Sequence, residues 1–401
     1  MSEKSKKYFI VVLISVYVAY VFHSLSCGAI NYAWPDLRTD LHIPDYGLGY
    51  ISASVAFFTV AASLLLNRLF PNVILTRKVI IGILLQVFAL FGTLLSRSFL
   101  PILLFSIPLG IGSGVLEVVL NAYASTHFAA KYTNYLHLFH SMGGIFGPYM
   151  MSFALSGNGN WRRGYVYFII VELLITLYVF FSISKWDKIP LTLNDEHVEK
   201  KKISFAKLFL MKKLRVTLIY SMLLNSVEYI VGTWLCTFLV DAKSLDKSVA
   251  VERCVILTVG MGLGRFLSGF LSNKIKTWNR IRVSTGILMV GVVIFALPLP
   301  NLVTFIMMFF LGLSIGPLYS NLLVLTPFNF GDELSEAVVG VEVAFAYIGY
   351  FVTGLIFGNL YNRFGYSVFQ ISLLSLVFVS ALVLLILIRC IKREGLFNLT
   401  V

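Results

Sequence analysis

The chain has 401 residues, of which 58% are apolar and 13% charged, with a formal net charge of +13 and a mean hydropathy of +0.86. Soluble globular chains carry about 25% charged residues, so a soluble multidomain enzyme, a disordered chain and a fibrous one are excluded. The apolar runs are continuous over 18 to 27 residues, long enough for helices to cross ~30 Å of hydrocarbon, and they lack the alternation of a transmembrane barrel.

In chain order, twelve spans are predicted, at 8–33, 46–66, 78–96, 101–127, 133–155, 164–184, 213–240, 249–272, 281–299, 302–327, 335–359 and 366–389. The short basic stretch before span 1 runs into it without a clear small-residue cleavage site, so span 1 is read as uncleaved. A hydrophilic stretch, Lys185 to Lys213, divides the spans six and six. The expected organisation is an N-terminal six-helix bundle at 1–184, a cytoplasmic linker at 185–212 and a C-terminal six-helix bundle at 213–401. With the N-terminus inside, 24 of the 32 Lys and Arg fall in inner segments and 8 in outer loops, which places both termini and the linker in the cytoplasm. The net charge is therefore a topology signal with a minor lipid-headgroup component, and no nucleic-acid partner is expected. Cys27, Cys236, Cys254 and Cys390 form no CxxC and no cluster, so they are read as buried small apolar residues without a disulfide framework.

The two sets of spans resemble each other. SLLLNR at Ser63–Arg68 matches GFLSNK at Gly269–Lys274 with an offset of 206, and Asn121 and Asn321 lie 200 apart in spans 4 and 10. The expectation is a duplicated bundle with a ligand site between the halves near the midplane. The six-linker-six plan and the signature after span 2 resemble the major facilitator superfamily, whose loop motif runs G-x-x-x-D-R-x-G-R-R. Here Ser63 and Asn67 take the Gly and Asp places and Arg68 remains, while the second copy keeps Gly269 but has Asn273 and Lys274.

A charge at the bilayer centre costs roughly 2.5–3.5 kcal/mol on insertion scales, so each polar group inside a span needs a reason. Glu117, Glu172, Glu228 and Glu342 lie inside spans, as do His23, His137 and His140. Low dielectric favours the neutral carboxyl, which makes such a group able to take and release protons near neutral pH. Glu172 and Glu342 are read as structural or near an interface, and the lone His23 as a satisfied core histidine. In GSGVLEVVLNAY, beginning at Gly112, small residues permit close helix approach, and Glu117 and Asn121 share one helical face. In NYLHLFHSMGGIFGP, beginning at Asn134, His137 and His140 share a face ahead of Pro148.

These two segments resemble the fucose:proton symporter family, which carries a span-4 Glu followed four residues later by Asn, and two sugar-contacting residues three apart in span 5. The resemblance implies that Glu117 is the proton-linked carboxylate and that His137 and His140 occupy sugar-contact positions. Span 7, NSVEYIVGTWLCTFLVD from Asn225 to Asp241, is similar to the family's Glu, Gly, Trp pattern. It puts Asn225 and Glu228 on one face and offers the Trp234 ring to the apolar side of a sugar. Span 10 contributes a Gly316–Pro317 break with Tyr319 and Asn321. One departure is Asn31, four residues before the Pro35 that closes span 1, where the fucose permeases carry an Asp; an amide cannot titrate, so a two-carboxylate relay does not carry over.

The sequence thus predicts an all-α membrane protein of twelve transmembrane helices with the major facilitator fold. It would be a secondary transporter of a small polar solute, a sugar first, by proton-coupled alternating access. Glu117 and Glu228 are the proton-coupling candidates, and Asn31, Asn121, His137, His140, Asn225, Trp234 and Asn321 the solute-binding ones. The expected partners are solute, protons and membrane lipids, in a monomer of the plasma or cell inner membrane. No Walker motif, nucleophile with its base, or HExxH helix occurs, so neither ATP drive nor an intramembrane enzyme is expected, and no cofactor or metal is called. The alternative is a proton-driven drug or metabolite exporter, because GIFGP in span 5 partly resembles the glycine-proline motif of such antiporters. A divalent-metal carrier using His137, His140 and Glu117 lacks a closed ligand set. A binder that no longer cycles would keep the cavity and lose coupling.

Overall fold

Long apolar segments satisfy their backbone hydrogen bonds internally only as helices in hydrocarbon, and helices account for nearly all of the described chain. The computed structural model describes residues 3–70, 72–128, 130–186, 188–189, 209–272 and 274–393. Its helices are α1 (Glu3–Asp40), α2 (Tyr46–Leu69), α3 (Leu75–Leu95), α4 (Phe99–His127), α5 (Ala130–Leu155) and α6 (Trp161–Trp186). They continue as α7 (Lys212–Asp241), α8 (Lys247–Arg253), α9 (Val255–Phe270), α10 (Thr277–Phe295), α11 (Asn301–Phe330), α12 (Asp332–Phe364) and α13 (Ser367–Arg393). Ten of them are long and apolar enough to cross a membrane. The remaining two of the twelve spans are α5 and the α8–α9 pair, which divides the eighth apolar run at Cys254.

Two expected breaks are absent. α1 continues through Pro35 to Asp40, and α11 continues through Pro317 and Pro327 to Phe330. Each proline forfeits one ladder hydrogen bond, but both helices pack against several neighbours, which hold the axis. The segment 63–68, expected as a loop, lies inside α2, which ends at Leu69; the side chains of Asn67 and Arg68 lie outside the described residues. The chain does turn at Gly331, whose φ of +82° joins α11 to α12 through a single residue, a conformation open to glycine at little cost.

The chain forms two compact units, one of Met1–Asp195 with Ser244–Val255, the other of Glu196–Lys243 with Ile256–Val401. In the first, α1 packs on α5 and α6, α3 on α4 and α6, and α2 on α4; α8 also packs on α5, and Lys247 Nζ lies 2.8 Å from Asp36 Oδ1. In the second, α7 packs on α12 and α13, and α10 on α11 and α13. The two units repeat one pairing scheme.

Glycines fix the register of this repeat. Gly110 and Gly114 on α4 face the carbonyls of Val55 and Thr59 on α2, and Gly312 and Gly316 on α11 face those of Leu257 and Met261 on α9. Leu257, Met261, Gly312 and Gly316 each stand 202 residues after Val55, Thr59, Gly110 and Gly114. The offset of 202 differs from the 206 and 200 of the sequence matches, so Asn321 is not the counterpart of Asn121. At the same offset Arg265 replaces Ser63: Ser63 Oγ donates to Gly114 O at 3.3 Å, and Arg265 Nε donates to Gly316 O at 3.1 Å.

Candidate functional site

The packing of α1 against α4 and α5 assembles a polar cluster inside the first unit. Tyr20 Oη donates to Glu117 Oε1 at 3.1 Å, and His23 Nε2 lies 3.3 Å from Glu117 Oε2. Asn121 Nδ2, one turn along α4, donates to Tyr20 Oη at 3.1 Å and to the Glu117 carbonyl at 2.7 Å. The His140 ring lies 4.9 Å from that of Tyr20 and 5.7 Å from that of His23. The Glu117 side chain retains 34% of its exposure whereas His23 retains 5%. The carboxylate is thus reachable by water and solute while its imidazole partner is enclosed.

Behind this cluster, Gln86 on α3 is fully buried and its Nε2 lies 3.0 Å from His23 Nδ1 and 3.1 Å from Ser113 Oγ. Glu172 on α6 is also buried, and accepts a 2.9 Å hydrogen bond from Ser26.

The second unit is built differently. Glu228 on α7 pairs with Arg265 on α9, Nη2 to Oε1 3.3 Å, both side chains partly exposed. An arginine inside an apolar run carries the same insertion penalty as an acid, yet Ser63 makes the matching helix contact in the first unit without a charge. Arg265 therefore does both: its Nε keeps the helix contact to Gly316 O, and its Nη2 meets Glu228. Neutralising Arg265 alone strands the carboxylate, whereas neutralising both partners does not. We expect Arg265→Gln to lower stability by about 1–2 kcal/mol, after discounting for solvent screening, and the Arg265→Gln/Glu228→Gln pair to recover more than half of it. Additive losses in a thermal-unfolding double-mutant cycle would sink this reading.

The other sequence candidates fall into three groups. Asn121 and His140 join Glu117. Asn31 is on α1, its Oδ1 buried and without a hydrogen bond, and His137 is on α5 with its side chain outside the described residues. Asn225, Trp234 and Asn321 are buried with protein partners: Asn225 donates to Ser221 O on its own helix (2.9 Å), Asn321 pairs with Ser268 (2.9 Å), and the Trp234 ring stacks on Tyr361 at 5.1 Å beside Phe357. Trp234 offers no open ring face, because an apolar ring gains as much from Tyr361 and Phe357 as from a sugar. Glu342 is buried and accepts from Thr326 at 2.9 Å. Sequence reasoning missed Tyr20, Gln86 and Arg265. Arg265 and Gln86 carried a readable signal, a charge and an amide inside apolar spans; Tyr20 did not, since its ring is apolar but for one hydroxyl.

Two repeated bundles of helices long and apolar enough to span a membrane, each enclosing paired polar groups, define a polytopic membrane protein with an internal repeat. The family profile of the Major Facilitator Superfamily matches residues 16–341, and the chain belongs to that superfamily. It is a transporter and not an enzyme. In sequence it is similar to "Bypass of stop codon protein 6" of Saccharomyces cerevisiae, 22% identical over 278 residues, which are 62% of this chain; the match spans 56% of that relative. In fold it is similar to a bacterial homologue of the human lysosomal transporter Spinster, with TM-score 0.79 and 14% identity over 98% of this chain and 99% of that one. A variant of the nucleoside transporter NupG gives TM-score 0.76 and 12% identity over 94% and 99%. A D-xylose-proton symporter gives TM-score 0.74 and 13% identity over 93% and 97%.

Proposed function

We propose that the protein is a secondary transporter of a small polar solute, a sugar first, driven by protons through alternating access and akin to the fucose:proton symporters. The observation that carries this reading is the one-third-exposed Glu117 carboxylate held by Tyr20, His23 and Asn121 inside a bundle of apolar helices. Such a group trades its proton with water at little structural cost and changes the charge of the site when it does. The neighbouring hydroxyl, amide and imidazole groups are the donor and acceptor set that a polyol needs. Glu117 is the proton-binding group in this reading. Glu228, tied to Arg265, is second to it. Asn121 and His140 contact the solute, with His137 one turn from His140 on α5 and Asn31 about two turns beyond His23 on α1.

In this reading it is a monomer of the plasma or cell inner membrane, and the Lys and Arg asymmetry of its loops supports cytoplasmic termini and a cytoplasmic 185–212 linker. The test is uptake of labelled fucose, glucose, galactose and N-acetylated hexoses into proteoliposomes with and without an inward proton gradient. Accumulation of one sugar that collapses with the gradient is the expected result. No flux of any sugar, with proton-linked efflux of lipophilic cations instead, would replace this reading with the exporter.

A further inference from the structure

Gln86 has no role in the reading above, yet its placement is unusual for a buried amide. Its Nε2 faces His23 Nδ1 (3.0 Å), Ser113 Oγ (3.1 Å) and Cys27 Sγ (3.8 Å), while its Oε1 is buried with no hydrogen bond. A buried acceptor left unmade costs about 1–3 kcal/mol, so it calls for an explanation. An amide nitrogen only donates, so the His23 Nδ1 it faces is an acceptor and the ring proton sits on Nε2, where it donates to Glu117 Oε2. Ser113 sends its own proton to Leu109 O (2.8 Å) and so accepts from Gln86. With the amide so placed, His23 is the neutral tautomer whose Nε2–H faces Glu117 Oε2, and the pair carries one negative charge when that carboxyl is ionised.

Adding one proton changes what Gln86 must present. On Nδ1, the proton converts His23 to imidazolium, with Nε2–H still bonded to the Glu117 carboxylate, and the pair goes from one negative charge to neutral. On Glu117 Oε2, the proton needs Nε2 as acceptor, which sends the ring proton to Nδ1. Either way Nδ1 carries hydrogen and faces an amide N–H, unless the amide turns end for end and brings Oε1 to it. The orphaned oxygen is the acceptor for that second state. The titratable groups facing His23 are Glu117 from α4, His140 from α5, Glu172 from α6 within electrostatic reach, and Tyr20 and Cys27 from its own helix. Among these, Glu117 alone is bonded to the ring on Nε2, and Nδ1 is left to Gln86, with Cys27 Sγ at 3.8 Å.

We infer that the coupling proton is held jointly by Glu117 and His23, and that Gln86 is a positioning residue whose amide reverses when the pair takes it. The inference rests on the proton-coupled reading, and supplies on α1 a titrating partner that Asn31 cannot be.

The test exploits the presence of two glutamines in the chain, Gln86 and Gln370. Full-length protein carrying 15N-glutamine is titrated in lipid vesicles from about pH 8.5 to about pH 5, the range in which imidazole changes charge. The Gln86 side-chain signal is expected to move in one step while Gln370, which donates to Phe295 O at 2.7 Å, stays in place. The step should vanish in His23→Asn, which adds no third glutamine. A Gln86 signal that stays put in the wild-type protein, or moves equally in His23→Asn, overturns the inference. A flux arm uses Gln86→Glu, whose acceptor-only carboxylate keeps the Nδ1 proton in place. Gradient-driven accumulation should fall about tenfold or more, the equivalent of losing at least one pH unit of drive, with equilibrium exchange retained; accumulation at the wild-type level also overturns the inference. A wild-type protein that moves no sugar yet shows the amide step removes the sugar reading and leaves the switch standing.

Discussion

Glu117→Gln is expected to abolish proton-driven accumulation while leaving equilibrium exchange of the same solute. The amide has the shape of the carboxyl group, its oxygen still accepts from Tyr20, and its nitrogen donates to His23 once the imidazole adopts its other tautomer. The fold and the solute-facing groups therefore persist. The variant has no proton to gain or lose at this position, so nothing ties solute movement to the gradient. One proton per solute across one pH unit is worth about 1.4 kcal/mol, a tenfold accumulation. At a two-unit gradient the wild type should approach about a hundredfold, and the variant should stay near one. The control is Glu172→Gln, enclosed beside Ser26, which should retain accumulation. If Glu117→Gln concentrates solute as the wild type does, the coupling site is elsewhere.

The second large effect concerns folding. A side chain at Gly114 or Gly312 would overlap the carbonyl oxygen of Thr59 or Leu257, a backbone atom that cannot rotate away. Valine at either position should cost about 3 kcal/mol or more by forcing the paired helices apart, seen as loss of the monodisperse detergent-solubilised protein or a large fall in Tm. Gly262, next to Met261 on α9, has nothing within 4 Å of an added methyl. Gly262→Ala should leave Tm unchanged or raise it, since alanine favours a helix by about 1 kcal/mol over glycine. Equal tolerance at Gly114, Gly312 and Gly262 would contradict the close-approach account. The same contacts explain why the repeat reads at 202: backbone approach through a missing Cβ tolerates no slip, whereas the match of SLLLNR to GFLSNK, at the ends of α2 and α9, is one of letters only.

Part of the site was open to reading along the chain. Glu117 and Asn121 stand one turn apart on one helix, so their joint placement follows from helical geometry alone. His140 reached the same cluster because its helix packs on α1. Trp234 and Asn321 went the other way, into contacts with Tyr361 and Ser268. Nothing along the chain separates an aromatic ring or amide that meets a solute from one that meets a neighbouring helix. Expected breaks at Pro35 and Pro317 failed for a related reason, since the helix-breaking tendency of proline is a local property and neighbouring helices override it.

The sequence by itself determined that this is a polytopic helical membrane protein, how many spans it has, that its halves repeat, and which spans carry acids inside apolar runs. Each is a sum over about twenty neighbouring residues or a single charge whose transfer energy dwarfs its surroundings, and such quantities need no knowledge of partners. Tertiary structure decided which polar groups meet: His23 and Tyr20 on Glu117, Gln86 behind His23, Arg265 on Glu228. Those pairings join residues 37 to 97 positions apart and depend on helix approach to within an ångström, which glycines facing carbonyls on another helix impose only once the bundle has formed.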